Sequence, residues 1–293
     1  WRTHTLLADG DNRRLMDHEW LLTNGTGAFA SGSALGCNTR RYHGLLAAAM
    51  QPPVGRIIAL GQMWEQLVLT HGAEPARGDR GEAIEEAAPA TQAIEFATLL
   101  FRSHNSAGGG GPPVFSPRGY TMLRRFDRGL SVEWSYTWGR IGFNRELFLH
   151  WKEQAATVRY RVTGLDELRA AGGASGGEAV LRLQPMLTLR DYHGLLRRDV
   201  ASPFEVQTSA RGDVLTVDHD GAAVTLAVPG AKFQPNENWW YGVWYPLETE
   251  RGQDDWEDYF VPGAFEVRAP TDGEFELELS VALGREPVEP RPE

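Results

Sequence analysis

Three observations make this an all-β chain, read as a large antiparallel β-sandwich with few short helices. Apolar residues recur with a period of two wherever the pattern is clear, strand-like runs follow one another directly, and short polar turns separate them. Runs of that kind, with no long helices between them, pack as two antiparallel sheets face to face.

Along the chain, Leu130 to Trp138 and Phe143 to Trp151 flank Gly139-Arg140-Ile141-Gly142, which predicts a hairpin. Val158, Tyr160 and Val162 alternate with Arg159 and Arg161, giving a strand with one dry and one wet face. Val214 to Val217 and Val224 to Val228 flank Asp218-His219-Asp220-Gly221, a second hairpin with suitable turn residues. Phe265-Glu266-Val267 and the run from Glu274 flank Pro270-Thr271-Asp272-Gly273 and predict a third. In the last run Phe275, Leu277, Leu279, Val281 and Leu283 alternate with Glu274, Glu276, Glu278 and Ser280. Short helical turns are expected at Ala93 to Phe101, Leu165 to Ala171 and Asp254 to Tyr259. Ser103 to Pro113, with four consecutive glycines, reads as loop or disorder, and Gly172 to Gly177 as a flexible turn. Residues 1–283 form the sandwich on this reading. The Pro/Glu-rich tail 284–293 has the composition of an interdomain linker leading to a further domain.

Composition narrows the function. The 293 residues carry 29 basic and 39 acidic side chains, a net charge of −10, which argues against a nucleic-acid partner. No apolar run approaches transmembrane length and no signal peptide is visible, so no membrane partner is expected. Cys37 is alone, which excludes an intramolecular disulfide and suggests a reducing, cytoplasmic home. The histidines lack metal-ligand spacing, and no phosphate-binding Gly-rich motif follows the glycine run, so neither metal nor cofactor is expected. Asn24-Gly25-Thr26 is read as a turn. Aromatics cluster at Trp134, Tyr136 and Trp138, at Trp239, Trp240, Tyr241, Trp244 and Tyr245, and at Trp256, Tyr259 and Phe260. Most should pack between sheets, while some can serve as platforms for sugar rings.

The pentapeptide Tyr42-His43-Gly44-Leu45-Leu46 recurs as Tyr192-His193-Gly194-Leu195-Leu196, preceded by Arg40-Arg41 and by Arg190-Asp191. Tyrosine, histidine and arginine together offer an apolar ring face, an imidazole and a rigid fork of donors, which suits a neutral, hydroxyl-rich ligand. The Leu-Leu that follows reads as the chain entering a core. The candidate ligand-binding residues are Arg40, Arg41, Tyr42 and His43, then Arg190, Asp191, Tyr192 and His193, then Tyr241 and Tyr245. The alternative is a Gly-rich β-meander whose arginines bond carbonyls. Asp191 is placed to fix Arg190 or orient His193. Glu248 and Arg251 sit near the aromatics and are candidates to face the ligand, whereas Asp254, Asp255 and Asp258 read as a solvated acidic loop. Similarity between the copies ends with the motif, and no residue is assigned proton transfer.

Glu19-Trp20-Leu21-Leu22-Thr23-Asn24-Gly25, Asn38 to Leu46, Pro52-Pro53-Val54-Gly55-Arg56, Arg190 to His193, and Tyr245 to Gly252 leading into Asp258 to Gly263 resemble bacterial and archaeal glycogen debranching enzymes. The resemblance implies that this region is the family's N-terminal β-supersandwich. It also implies a following C-terminal barrel of paired helices that carries the amylo-α-1,6-glucosidase carboxylates. The implied partners are α-glucan (glycogen or maltooligosaccharide) and that catalytic barrel. The family's 4-α-glucanotransfer activity is attributed to the N-terminal part. No convincing carboxylate pair supports it in this chain, and that question stays open beside a purely structural role. Ala28 departs from the family's usual glycine after Gly27, and the insert near Gly108 is particular to this chain.

Overall fold

A computed structural model describes residues 4–8, 10–71, 76–77, 83–84, 90–104, 110–166, 178–270 and 273–288. In chain order the strands are β1 His4–Leu7, β2 Glu19–Thr23, β3 Phe29–Ser33, β4 Gly44–Gln51, β5 Val54–His71, β6 Ala76–Arg77 and β7 Ala83–Ile84. There follow β8 Ala90–Glu95, β9 Thr98–His104, β10 Gly110–Arg118, β11 Leu123–Arg128, β12 Val132–Trp138, β13 Ile141–Leu149 and β14 Ala155–Thr163. The last are β15 Glu178–Asp191, β16 Glu205–Thr208, β17 Val214–His219, β18 Ala222–Ala227, β19 Lys232–Trp244, β20 Trp256–Ala269 and β21 Phe275–Leu283. Among the described residues two short helices interrupt them, α1 Asn12–Asp17 and α2 Pro246–Glu250, besides a 3₁₀ turn at Gly119–Met122.

The protein is all-β, as expected. One sheet has nine strands in the order β1-β11-β12-β13-β14-β21-β18-β17-β16. A second has ten, β10-β9-β19-β20-β15-β5-β4-β3-β2 with β8 added beside β5, and β6 pairs β7 in a separate two-stranded sheet. Leu181, Leu183 and Phe265 of the ten-stranded sheet meet Phe143, Val158, Tyr160 and Leu279 of the nine-stranded one in the main core. A second apolar cluster holds Leu99, Met186, Val243, Tyr245, Tyr259 and Val261. Phe260 belongs to the first cluster and its neighbours Tyr259 and Val261 to the second. Because successive strand residues point to opposite faces, the second cluster lies on the far side of the ten-stranded sheet.

Two of the three expected hairpins form with tighter turns than the sequence suggests. His219 pairs Ala222 around Asp220-Gly221, both at positive φ (46° and 79°), the primed geometry that matches strand twist. Trp138 pairs Ile141 around Gly139-Arg140. The third expectation is overturned: β20 pairs β15 and β19, whereas β21 pairs β14 and β18, so the chain crosses between sheets after Ala269. Two of the expected helical turns are strands. Ala93 lies in β8 and Thr98 to Phe101 in β9, and Trp256 to Tyr259 open β20. There, ladder pairing such as Leu67 with Ile94 and Trp240 with Tyr259 overrides weak local preference. The glycine run likewise enters β10, which pairs β9. Residues 105–109, 167–177 and 289–293 lie outside the described residues, and with them most of the third helical turn, the Gly172 to Gly177 turn and the end of the tail.

Candidate functional site

The first Tyr-His copy closes the turn between β3 and β4. The Thr39 backbone N–H donates to His43 Nδ1 (3.1 Å), which leaves Nε2–H to face Glu19 Oε1 at 3.3 Å. Arg40 Nε donates to the same oxygen at 2.6 Å. The His43 hydrogen bond, aided by Arg40 and opposed by burial, lowers the Glu19 carboxyl to about 2. Burial lowers the pKa of His43, so the ring sits neutral in its pocket. Arg41 is buried too: its Nη1 and Nη2 donate to the carbonyls of His193 (3.0 Å) and Asp254 (2.8 Å), and Nε lies 3.4 Å from Glu248.

The second copy follows a strand instead of entering one. Arg190 and Asp191 end β15, and Leu195-Leu196 continue as coil, which corrects the expectation that the second Leu-Leu leads into a core strand. Asp191 accepts the His193 backbone N–H at 2.9 Å, so it shapes the turn and does not hold the imidazole. Arg190 reaches past it to Glu257, with Nε and Nη2 each donating at 2.7 Å, a two-point pair that aligns both groups. Nη2 also donates to the Arg41 carbonyl (2.8 Å), tying the second copy to the first.

The two copies therefore converge. Tyr42 Oη lies 3.3 Å from His193 Nδ1, and the Tyr42 ring stands edge-on to Tyr192 (5.6 Å between centroids) and to His193 (5.7 Å). Arg56 lies over Tyr192 at 5.8 Å from its centroid. His193 is exposed and both tyrosines half-buried, whereas His43 is closed off. Identical pentapeptides thus do different work: one histidine braces, the other faces solvent.

Beneath the ring cluster runs a buried polar network that sequence reasoning missed. Glu257 is inaccessible and accepts from Arg190, from Tyr245 Oη and from the Leu196 backbone N–H (3.1 Å). Tyr245 Oη in turn meets Tyr259 Oη at 2.9 Å, and Asn38 Nδ2 donates to Tyr259 Oη at 3.1 Å. Burial raises both tyrosines above their usual value, and both stay neutral donors. Burial also opposes charge on Arg190, but the Glu257 carboxylate outweighs it and keeps the guanidinium ionised. The period-two pattern of Trp256 to Val261 was the available signal, since it puts Glu257 and Tyr259 on one strand face.

Asp254 is exposed, as expected of a solvated loop, whereas the other acids depart from expectation. Asp255 and Asp258 are buried, not solvated: Asp255 pairs with Arg102, and Asp258 accepts the backbone N–H groups of Gly242 (2.8 Å) and Arg198 (2.9 Å). Glu248 is buried behind Arg41, with Arg251 at 3.4 Å, so it does not face a ligand. Tyr245 is buried within the second cluster, whereas Tyr241 is exposed. Tyr241 lines a separate cleft of about 720 Å³ with Trp244 and Trp256.

Over residues 18–76 and 107–275, more than half of the chain, the sequence matches the family described as glycogen debranching enzyme N terminal. The chain belongs to that family. No match was found among curated proteins. Among solved structures the chain is similar to a bacterial glucoamylase complexed with acarbose, at 8% identity and a TM-score of 0.40. The match covers 91% of this chain and 32% of that one, and a likeness so weak carries no argument.

Within this glycogen debranching enzyme N-terminal domain, both matched segments contain a copy of the Tyr-His motif. Among the described residues no group of three or more His, Cys, Asp or Glu is placed to hold a metal ion, and no helix is long and apolar enough to cross a membrane.

Proposed function

We propose that this domain is the non-catalytic, glucan-facing wall of a glycogen debranching enzyme. On this reading Tyr42, Tyr192 and His193 contact glucose units. Arg40, Arg41, His43, Arg190, Asp191 and Tyr245 hold that surface in place from below, and Tyr241 adds a contact elsewhere. The tail 284–293 leads to a helical barrel that hydrolyses α-1,6 branch points, and the domain packs on that barrel. A free, buried Cys37 accords with a cytoplasmic setting.

One observation carries the reading: two motif copies 150 residues apart in sequence meet, with Tyr42 Oη 3.3 Å from His193 Nδ1. A partly exposed cluster of rings above a buried ionic base is the form of a preorganised binding surface. A second reading, a purely structural interdomain module, draws on the donors of Arg41, which are spent on backbone carbonyls. In the full-length enzyme, Tyr42→Ala and His193→Ala should each lower kcat/KM on branched glucan about 10-fold, a loss of roughly 1.4 kcal/mol of transition-state binding. Unchanged kinetics in folded variants would favour the structural module.

A further inference from the structure

The Tyr241 cleft is a different surface from the Tyr42 cluster. Val243 and Tyr245 belong to the cluster on the far side of the ten-stranded sheet, so Trp244 between them points to the core side. The same alternation puts Trp256 and Asp258 on the face of Phe260, opposite Glu257 and Tyr259. The cleft therefore opens on the reverse face of the strands that carry the Glu257 network. His193 and Arg198 lie at the two ends of the connecting segment, five residues apart, so the surfaces are separated by at most about 18 Å of chain.

Its chemistry selects a neutral ligand with apolar faces. Two arginines, Arg102 and Arg198, and two aspartates, Asp199 and Asp258, line it, so neither sign is in excess. Arg102 is engaged by Asp255, and both Asp258 oxygens accept backbone N–H groups. The aromatic plates are set before any ligand arrives. Arg197, outside the lining, covers Trp256 with its guanidinium 3.5 Å from the ring centroid, and Trp244 Nε1 donates to Thr249 at 2.8 Å. Even so, Trp256 remains 42% exposed and Tyr241 61%. The Tyr241 ring, and the Trp256 face that Arg197 does not cover, carry the negative side of the ring quadrupole, which attracts the weakly positive C–H face of a pyranose ring. Arg102, held by Asp255, and Asp258, held by two backbone N–H groups, place fixed polar atoms at the rim for hydroxyl groups.

We propose that this cleft is a second α-glucan site, in which a glucose ring stacks on Tyr241 and Trp256. The choice of α-glucan over other neutral sugars rests on the family reading above; the separate site rests on the cleft. The test is titration of the chain with maltoheptaose while following the indole N–H resonances of its tryptophans by NMR. Trp244→Phe and Trp256→Phe assign the two signals. Maltoheptaose up to about 10 mM, enough to detect a Kd near 1 mM, should shift both, and Tyr241→Ala should weaken that response about tenfold. No shift at Trp244 and Trp256, or a response that survives Tyr241→Ala unchanged, overturns the proposal. Shifts elsewhere with these two silent overturn it while leaving the Tyr42 reading intact. Shifts at both indoles, in an enzyme whose kinetics ignore Tyr42→Ala, support this site and sink the other. Tyr241 is exposed on a strand surface, so its truncation leaves the fold in place for the comparison.

Discussion

His43 and His193 have the same neighbours in sequence and opposite surroundings in space, and the difference has a measurable consequence at low pH. In the folded chain Glu19 keeps its charge down to about 2, against an ordinary 4.5, because His43 and Arg40 donate to it. Its contribution to stability is therefore complete above pH 4.5 and is lost as pH falls toward 2. His43 adds a term of the same sign at higher pH. Burial lowers its pKa below 6.5, so the unfolded chain takes up its proton first and stability declines as pH drops through that region. Urea denaturation from pH 7 to 3 should thus show a steeper loss for the wild-type chain than for Glu19→Gln. Parallel curves would mean that the Glu19 ion pairs contribute nothing. Sequence alone identified the arginines and histidines as a group. It could not say which of them are covered, because coverage depends on Glu19, Glu248 and Glu257, which lie far from those arginines along the chain.

Strands were legible where alternation was strict, as in β14 and β21, and where a turn imposes its own chemistry, as at Asp220-Gly221. They were illegible where long-range pairing decides: β8, β9 and the start of β20 carry mixed local signals and are fixed by neighbours far along the chain. Helix α1 was missed although Asp11 caps it, with its side chain accepting the Arg14 N–H at 2.9 Å, because six residues are too few to show a helical period. Strand β5 illustrates how pairing and site are joined. A Cβ on Gly61 would come 2.3 Å from Tyr259 Cε1, and Tyr259 is the buried phenol that links Asn38 to Tyr245. Glycine is required here for close approach, not for backbone conformation. Gly61→Ala should cost about 1–3 kcal/mol in chemical denaturation through overpacking. The same variant should also weaken maltooligosaccharide binding at the Tyr42 cluster, since the network beneath it would shift. A variant as stable as wild type would show that the Tyr259 ring can move freely.

The two sheets are joined by more than apolar packing. Glu65 on β5 and Arg145 on β13 meet across the sandwich at 3.1 Å, both almost wholly buried, and Tyr160 of the nine-stranded sheet approaches the same carboxylate oxygen at 3.4 Å. The Arg145 guanidinium also lies 4.1 Å from the Trp134 ring centroid. Burial pushes the Glu65 carboxyl up while Arg145 pulls it down, and Glu65 Oε2 and Arg145 Nε are left without hydrogen-bond partners. Such a pair has repaid its desolvation only in part, so its worth depends on what replaces it. Removing one partner strands the other charge in the core. Arg145→Met or Glu65→Leu alone should therefore destabilise the chain by about 3–5 kcal/mol. The double variant Glu65→Leu/Arg145→Met removes both charges and fills similar volume, and should recover most of that loss or exceed wild-type stability. A double-mutant cycle by urea denaturation measures the coupling directly. Additive losses would mean that the two charges act independently, and that the sheets are held in register by the apolar core alone.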